Sequence, residues 1–341
     1  MTHPRPRTSD AAFTLIELLV VIAIIGILVS VLIPSISVVR TKAKYTDANA
    51  QFNGITAGLE VFRGESALGS TYPPSTSDNN DPDLIKRLLI ANPLKEDISV
   101  DTTITGAHLL VQALVGADFL GPPGFKDFDR NGLWSNDTHK KTPTGAYGIE
   151  PATGEIIHTR YGGPGKSYVD DKAKARIKSL NEMASLGHVA VLPPLAATDG
   201  SYDQPLFVDP WFRPILYYRA NPSAQLISGL VDGTPGIYRA EDNALITGHM
   251  GTGGLGFEGV DFGAGRISMQ LHAIGVSAYP KAIDDLTLPL YADSFAVFIR
   301  DKSVKAINQP VRKDSFLLIS AGPDGRYGTD DDVTNWPRDD K

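Results

Sequence analysis

The chain of 341 residues carries 32 Lys and Arg against 39 Asp and Glu, a formal charge of −7. That acidic balance argues against electrostatic capture of nucleic acid, which needs clustered Lys and Arg to displace counterions. With no cysteine to staple it and with 33 glycines and 24 prolines, the globular part should be loop-rich, and bound ions are the remaining way to fix long loops.

In chain order, the first feature is Phe13 to Ile33, FTLIELLVVIAIIGILVSVLI, an apolar run with one formal charge, Glu17, near its start. As a helix it would span about 31 Å, roughly the hydrocarbon core of a bilayer. A cleaved secretory signal would place its small residues after the apolar run; here Ala11 and Ala12 precede it. A membrane anchor is therefore expected, and Glu17 is a functional candidate as an intramembrane ionisable group. The alternative for Glu17 is a carboxylate favouring the positive end of its own helix.

These residues resemble the class III signal of type IV pilins and type II secretion pseudopilins: a short basic leader, a small residue, then FTLIELLVVIAIIGIL. The resemblance implies cleavage by a prepilin peptidase between Ala12 and Phe13, N-methylation of Phe13, and pairing of Glu17 with the new amine of a neighbouring subunit. Ala12 departs from the family, which nearly always has Gly there. The implied organisation is a leader at 1–12, a transmembrane part at 13–33, an extracytoplasmic helix at 34–64 and a globular head at 65–341. The leader would lie in the cytoplasm and the head in the periplasm, although Arg5 and Arg7 against Arg40, Lys42 and Lys44 make the charge count nearly a tie.

Beyond Pro34, the positions Val38, Thr41, Tyr45, Ala48, Phe52, Ile55, Leu59 and Phe62 follow spacings of four and three. This predicts one face of a continuing helix, kinked or locally melted at Pro34, ending near Gly64 and burying its seam on a sheet. Short helices are expected at Asp83–Ala91 and Ala107–Val115. A longer one is expected at Asp170–Leu186, with Asp170 or Asp171 as N-cap and Gly187 as its stop. Strands are expected at Ile215–Ala220, Phe295–Arg300 and Phe316–Ser320. The fold class is α+β: a long N-terminal helix on a small antiparallel sheet, with loop-rich insertions containing short helices.

Two further stretches extend the resemblance. Asp209-Pro210-Trp211-Phe212-Arg213-Pro214 looks like the DPWGNP turn of major pseudopilins, with Phe212 and Arg213 replacing Gly-Asn. Ser320-Ala321-Gly322-Pro323-Asp324-Gly325, then Gly328 to Val333, looks like their C-terminal calcium loop. The chain exceeds twice a usual major pseudopilin's length, with the excess at about 75–205 and 221–293.

Calcium takes six to eight oxygens, which short-spaced carboxylates on a glycine-containing loop supply. Asp324, Asp330 and Asp332 are the expected ligands, with Asp331 the alternate; a solvated acidic tail is the plainer reading. A second candidate, Asp127, Asp129 and Asn131 followed by Gly132, has the opening of an EF-hand-like loop. It has Thr138 where the terminal Glu belongs, so Asp137 would have to substitute, and an Asx-turn-rich surface loop fits as well.

Signals for catalysis are weak. Gly251-Thr252-Gly253-Gly254-Leu255-Gly256 fits a dinucleotide fingerprint formally, but no strand precedes it and no helical pattern follows. The seven histidines show no paired ligand spacing, and no nucleophile elbow occurs. The reading is a non-enzymatic, pilin-like subunit of a type II secretion pseudopilus or related type IV filament, with calcium as a structural ion. Its partners would be other pilin-like subunits, prepilin peptidase, an inner-membrane assembly platform and an exported protein, and no nucleic acid. The rivals are a minor pilin or adhesin, or a membrane-tethered envelope protein that binds or hydrolyses sugars.

Overall fold

The computed structural model describes residues 15–64, 71–75, 105–116, 167–190, 192, 201–228, 236–248, 260–262, 272, 274, 294–305, 307 and 309–338. The chain divides into two compact units, Met1–Asp47 and Ala48–Lys341. Helix α1, Leu15–Gly64, is 50 residues long. It ends where the periodicity does, and its backbone stays helical through position 34, so no local melting occurs there.

In the first unit, the described side chains from Leu15 to Leu32 are exposed all round α1 and, Glu17 and Ser30 apart, apolar, with Leu15 at 81 % and Val21 at 45 % exposure. Among the described residues no helix is long and apolar enough to cross a membrane. Val38 is 54 % exposed and Thr41 is exposed. The upstream part of the predicted seam is therefore not buried within the single chain.

The second unit holds the core. From Ala48 onward the seam is buried: Ala48, Phe52, Ile55, Leu59 and Phe62 all lie in the interior. Burial of each large side chain contributes about 1.5–3 kcal/mol relative to exposure. Gln51 sits among them and donates through Nε2 to the Val208 carbonyl at 3.0 Å, which satisfies that buried backbone acceptor. Phe62 meets Tyr168 edge-on at 5.9 Å.

Helix α2, Gly106–Leu114, is buried on every side, including its two polar side chains His108 and Gln112. His108 Nδ1 accepts from the Thr105 backbone N–H at 3.1 Å and so caps its start. A Cβ on Gly106 would stand 2.2 Å from the Tyr217 carbonyl oxygen, so only glycine permits this approach of helix to strand.

The segment expected as one helix over 170–186 is two. Helix α3, Asp171–Lys174, is capped by Asp170 accepting from Ala173 N. Helix α4, Leu180–Ser185, is capped by Ser179 accepting from Glu182 N. Between them strand β1, Ile177–Lys178, pairs antiparallel with β2, Leu206–Phe207. Ser179 is an internal N-cap that restarts the helix, and the ladder takes the intervening backbone groups. The stop at Gly187 stands, with φ +74.

The central sheet orders β3, Leu216–Arg219, beside β6, Phe316–Ser320, beside β7, Val333–Thr334, all antiparallel. Strands β4, Leu226–Ser228, and β5, Gly236–Tyr238, form a separate parallel pair, followed by the short helix α5, Ala244–Thr247. The outer edge of β3 is closed by side chains. Arg219 N donates to Ser75 Oγ at 3.0 Å, and Asn243 Nδ2 donates to the Tyr217 carbonyl at 2.8 Å.

The predicted strand Phe295–Arg300 is instead helix α6, Ser294–Ile299. Phe295, Ala296 and Ile299 are buried while Val297 is 53 % exposed, a helical rather than a two-residue period. Only Arg300 forms an isolated bridge, with Pro310. The architecture is α+β, with an N-terminal helix and small, mostly antiparallel sheets. The expected helix at Asp83–Ala91 lies outside the described residues.

Candidate functional site

Ala12 and Phe13 precede the described residues. Glu17 lies in the first turn of α1, where a carboxylate is favoured by the helix dipole. At this end, then, the structure presents an apolar helix with one acidic side chain near its start.

At the other end of the chain, the Asp209 turn and the terminal acidic loop come together. Asp209 is 1 % exposed. Its Oδ1 accepts from Trp211 N at 2.7 Å and Arg213 N at 2.9 Å, and its Oδ2 accepts from the Ser320 hydroxyl at the end of β6. Burial pushes this carboxyl up to about 6, against the pull of those donors. Phe212 takes φ +62, a left-handed conformation costly for a bulky residue. Its ring stacks on His188 at 3.9 Å, with an interplanar angle of 6°.

Tyr327 joins the two segments. Its hydroxyl donates to the Pro214 carbonyl at 2.6 Å, and its N–H donates to His272 Nδ1 at 3.2 Å. With Nδ1 accepting, His272 Nε2 carries the proton and donates to the Val260 carbonyl at 3.0 Å. Burial lowers the imidazole to about 4, which matches this neutral form. Sequence reading passed over His272 and Tyr327, because nothing local marks a histidine whose partners lie 12 and 55 residues away.

The terminal loop wraps through Gly322, Gly325 and Gly328 at φ +62, +72 and +93. Asp324 Oδ1 accepts from Arg326 N at 2.7 Å, and Asp331 Oδ2 accepts from Asp324 N at 3.0 Å. Asp332 is fully buried and accepts from Gly328 N at 2.7 Å. The Thr329 hydroxyl lies 2.5 Å from Asp331 Oδ1 and 3.3 Å from Asp332 Oδ1. Burial raises the Asp332 carboxyl well above its ordinary range. Asp324 is raised by burial first, with the Asp331 charge adding to it.

Of the four carboxylates expected here, Asp331 and Asp332 share the Thr329 hydroxyl, and Asp324 is tied to Asp331 through its backbone N–H. Asp330 is 93 % exposed at its side chain and faces Arg338 at 3.6 Å. The oxygen donors suit a hard cation such as calcium. Among the described residues, however, no three acidic or histidine side chains are grouped so as to hold a metal ion. In this arrangement backbone N–H groups and the Thr329 hydroxyl serve the carboxylates. The second candidate loop, Asp127, Asp129, Asn131 and Asp137, lies outside the described residues.

The prokaryotic N-terminal methylation motif matches residues 7–33. Comparison with curated proteins and with solved structures finds no match for the chain. The matched segment contains Ala12, Phe13 and Glu17, and it leads into the helix whose later turns bury Phe52 to Phe62. Residues 7–33 thus carry the signature of type IV pilins and pseudopilins, proteins processed by a prepilin peptidase.

Proposed function

We propose that this chain is a structural, non-enzymatic subunit of a type II secretion pseudopilus or related type IV filament. The carrying observation is the methylation motif at residues 7–33, set on a helix whose described side chains from Leu15 to Leu32 are exposed on all sides and, Glu17 and Ser30 apart, apolar. Such a surface is unfavourable in water and asks for lipid or for other helices. The precursor would sit in the inner membrane by residues 13–33, with leader in the cytoplasm and head in the periplasm. After cleavage at Ala12–Phe13 and methylation of Phe13, the helix would leave lipid for a stack of like helices built at an inner-membrane assembly platform. Movement of an exported protein would follow from filament growth, so the chain needs no catalytic centre of its own.

Glu17 is the assembly residue in this reading. A carboxylate in hydrocarbon is costly unless paired, and the freshly cut amine of a neighbouring subunit is the matching cation. Glu17→Ala should insert normally but be lost from filaments, read by membrane fractionation and by immunoblot of sheared filaments. Undiminished incorporation of that variant would contradict the pairing.

The terminal loop is proposed to hold a structural calcium ion through Asp324, Asp331 and Asp332, with Thr329 alongside. Supporting this are its oxygen-only donors and the raised carboxyls of Asp324 and Asp332, which a divalent cation would relieve. Millimolar calcium should raise the melting temperature of the detergent-solubilised chain, and Asp324→Asn should abolish the rise. A wild-type melting temperature indifferent to calcium would remove the site.

A further inference from the structure

The turn at 209–214 is held from within, since Asp209 N donates to the Arg213 carbonyl at 2.9 Å and Asp209 Oδ1 accepts from Trp211 N and Arg213 N. Two side chains leave it from these fixed positions. The Phe212 ring lies flat on His188, and Arg213 Nη1 donates to the carbonyl of that same residue at 3.0 Å. Arg213 also reaches a second segment, with Cζ 5.2 Å from the centroid of the buried Phe262 ring, in cation–π range. The two segments are joined to each other: Ala190 N donates to the Asp261 carbonyl at 2.6 Å, and Val189 and Val260 are buried. Residues 188–190 and 260–262 come from the two long stretches by which the chain exceeds the family it resembles, and neither segment contributes a strand to the central sheet.

We propose that Phe212 and Arg213 dock these two stretches on the turn, where residues 188–190 and 260–262 open and close as one cooperative unit, separately from the central sheet. Glycine, which the resembling turn has at position 212, would take φ +62 without strain. The phenyl ring is therefore kept at a backbone cost that its stack on His188 offsets. Asn, which that turn has in place of Arg213, could not serve the His188 carbonyl and the Phe262 face at once. Contacts that share one side chain are coupled. A segment held to the rest of the fold by few such contacts opens below the cost of global unfolding.

Native-state hydrogen exchange of the full-length chain in detergent micelles tests this. The reporters are the amides of Ala190, bonded to Asp261, and Val260, bonded to the Ile246 carbonyl at 2.9 Å, with the amides of β6 as reference. In wild type the two reporters should show equal protection and equal denaturant dependence, and be less protected than β6 by about tenfold or more. Arg213→Met keeps an apolar stem beside Phe262 but loses the charge and the bond to His188. It should lower the protection of both reporters by the same factor, about tenfold or more. Phe212→Ala keeps a Cβ, and with it the backbone strain, but loses the ring from a residue that is 37 % exposed. That change touches the His188 side alone, yet protection of Val260 should fall together with that of Ala190. If Arg213→Met does not fold, Phe212→Ala decides. Unequal protection of the two reporters in wild type, protection matching that of β6, or a loss confined to Ala190 in Phe212→Ala overturns the inference. So does unchanged protection in both variants.

Discussion

The Tyr327 hydroxyl donates to the carbonyl of Pro214 at 2.6 Å, across 113 residues of chain. Both groups are buried, so this one bond ties the start of β3 to the terminal loop. Tyr327→Phe leaves the carbonyl without its donor in the interior and should cost about 1–3 kcal/mol. In a head of this size that is a fall of several degrees in melting temperature. Thermal unfolding checks it, and a variant melting with wild type would show the bond to be energetically idle.

Asp209 and His272 make opposing contributions to the pH dependence of stability. The folded Asp209 carboxyl titrates near 6, above its ordinary 3.8. The stability it adds is complete below 3.8 and is lost as pH rises through about 6. His272 is held near 4, below its ordinary 6.5. It adds stability above 6.5 that is lost as pH falls toward 4. Each shift corresponds to about 3 kcal/mol, so the two largely offset one another between pH 4 and 6.5. Asp209→Asn should unmask His272, so that its stability climbs with pH more steeply than wild type over that window. His272→Gln should do the reverse. Denaturant midpoints at several pH values measure the slopes, and parallel slopes in all three proteins would contradict the assignment.

The helix seam predicts a contrast between its two ends. Phe52 is 2 % exposed, whereas Val38 is 54 % exposed. Phe52→Ala should destabilise by about 3–5 kcal/mol through lost burial and the cavity left behind. Val38→Ala should change stability by less than about 0.5 kcal/mol while reducing filament yield, since Val38 is free to meet another subunit. Melting curves and sheared-filament yields of the two variants separate these effects.

Gly322 gives a test of the terminal loop that is independent of metal. At φ +62, a Cβ there would stand 2.4 Å from the Asp331 carbonyl oxygen. Gly322→Ala must both strain the backbone and push the loop apart, at a cost of more than about 1 kcal/mol. Hydrogen exchange at 328–334 should accelerate in this variant. Exchange at wild-type rates would mean the loop closes by other contacts.

Much of the frame was legible because it depends on short-range pattern. The four-and-three spacing placed the end of α1 at Gly64 and a seam from Val38 to Phe62, of which only Ala48–Phe62 is buried, and β-branched and aromatic runs placed β3 and β6. Phe295, Val297 and Ile299 misled because they alternate, while burial of the adjacent Ala296 decided for helix. Ser179 restarted a helix inside a pattern that reads as one. The candidate site was legible only in its parts. The Asp209 turn and the acidic loop can each be recognised locally, but their meeting through Ser320, Tyr327 and Arg213 is tertiary. The choice of Asp331 over Asp330 as a neighbour of Asp324 depends on which way the loop turns at its glycines, and carboxylate spacing alone carries no such information.

The central claim is that the helix beginning near Phe13 belongs to a processed filament subunit, and intact-mass spectrometry after co-expression with a prepilin peptidase tests it most directly. The account predicts loss of residues 1–12 and the gain of one methyl group on Phe13. A chain that keeps its leader and its unmodified mass in the presence of active peptidase would contradict it.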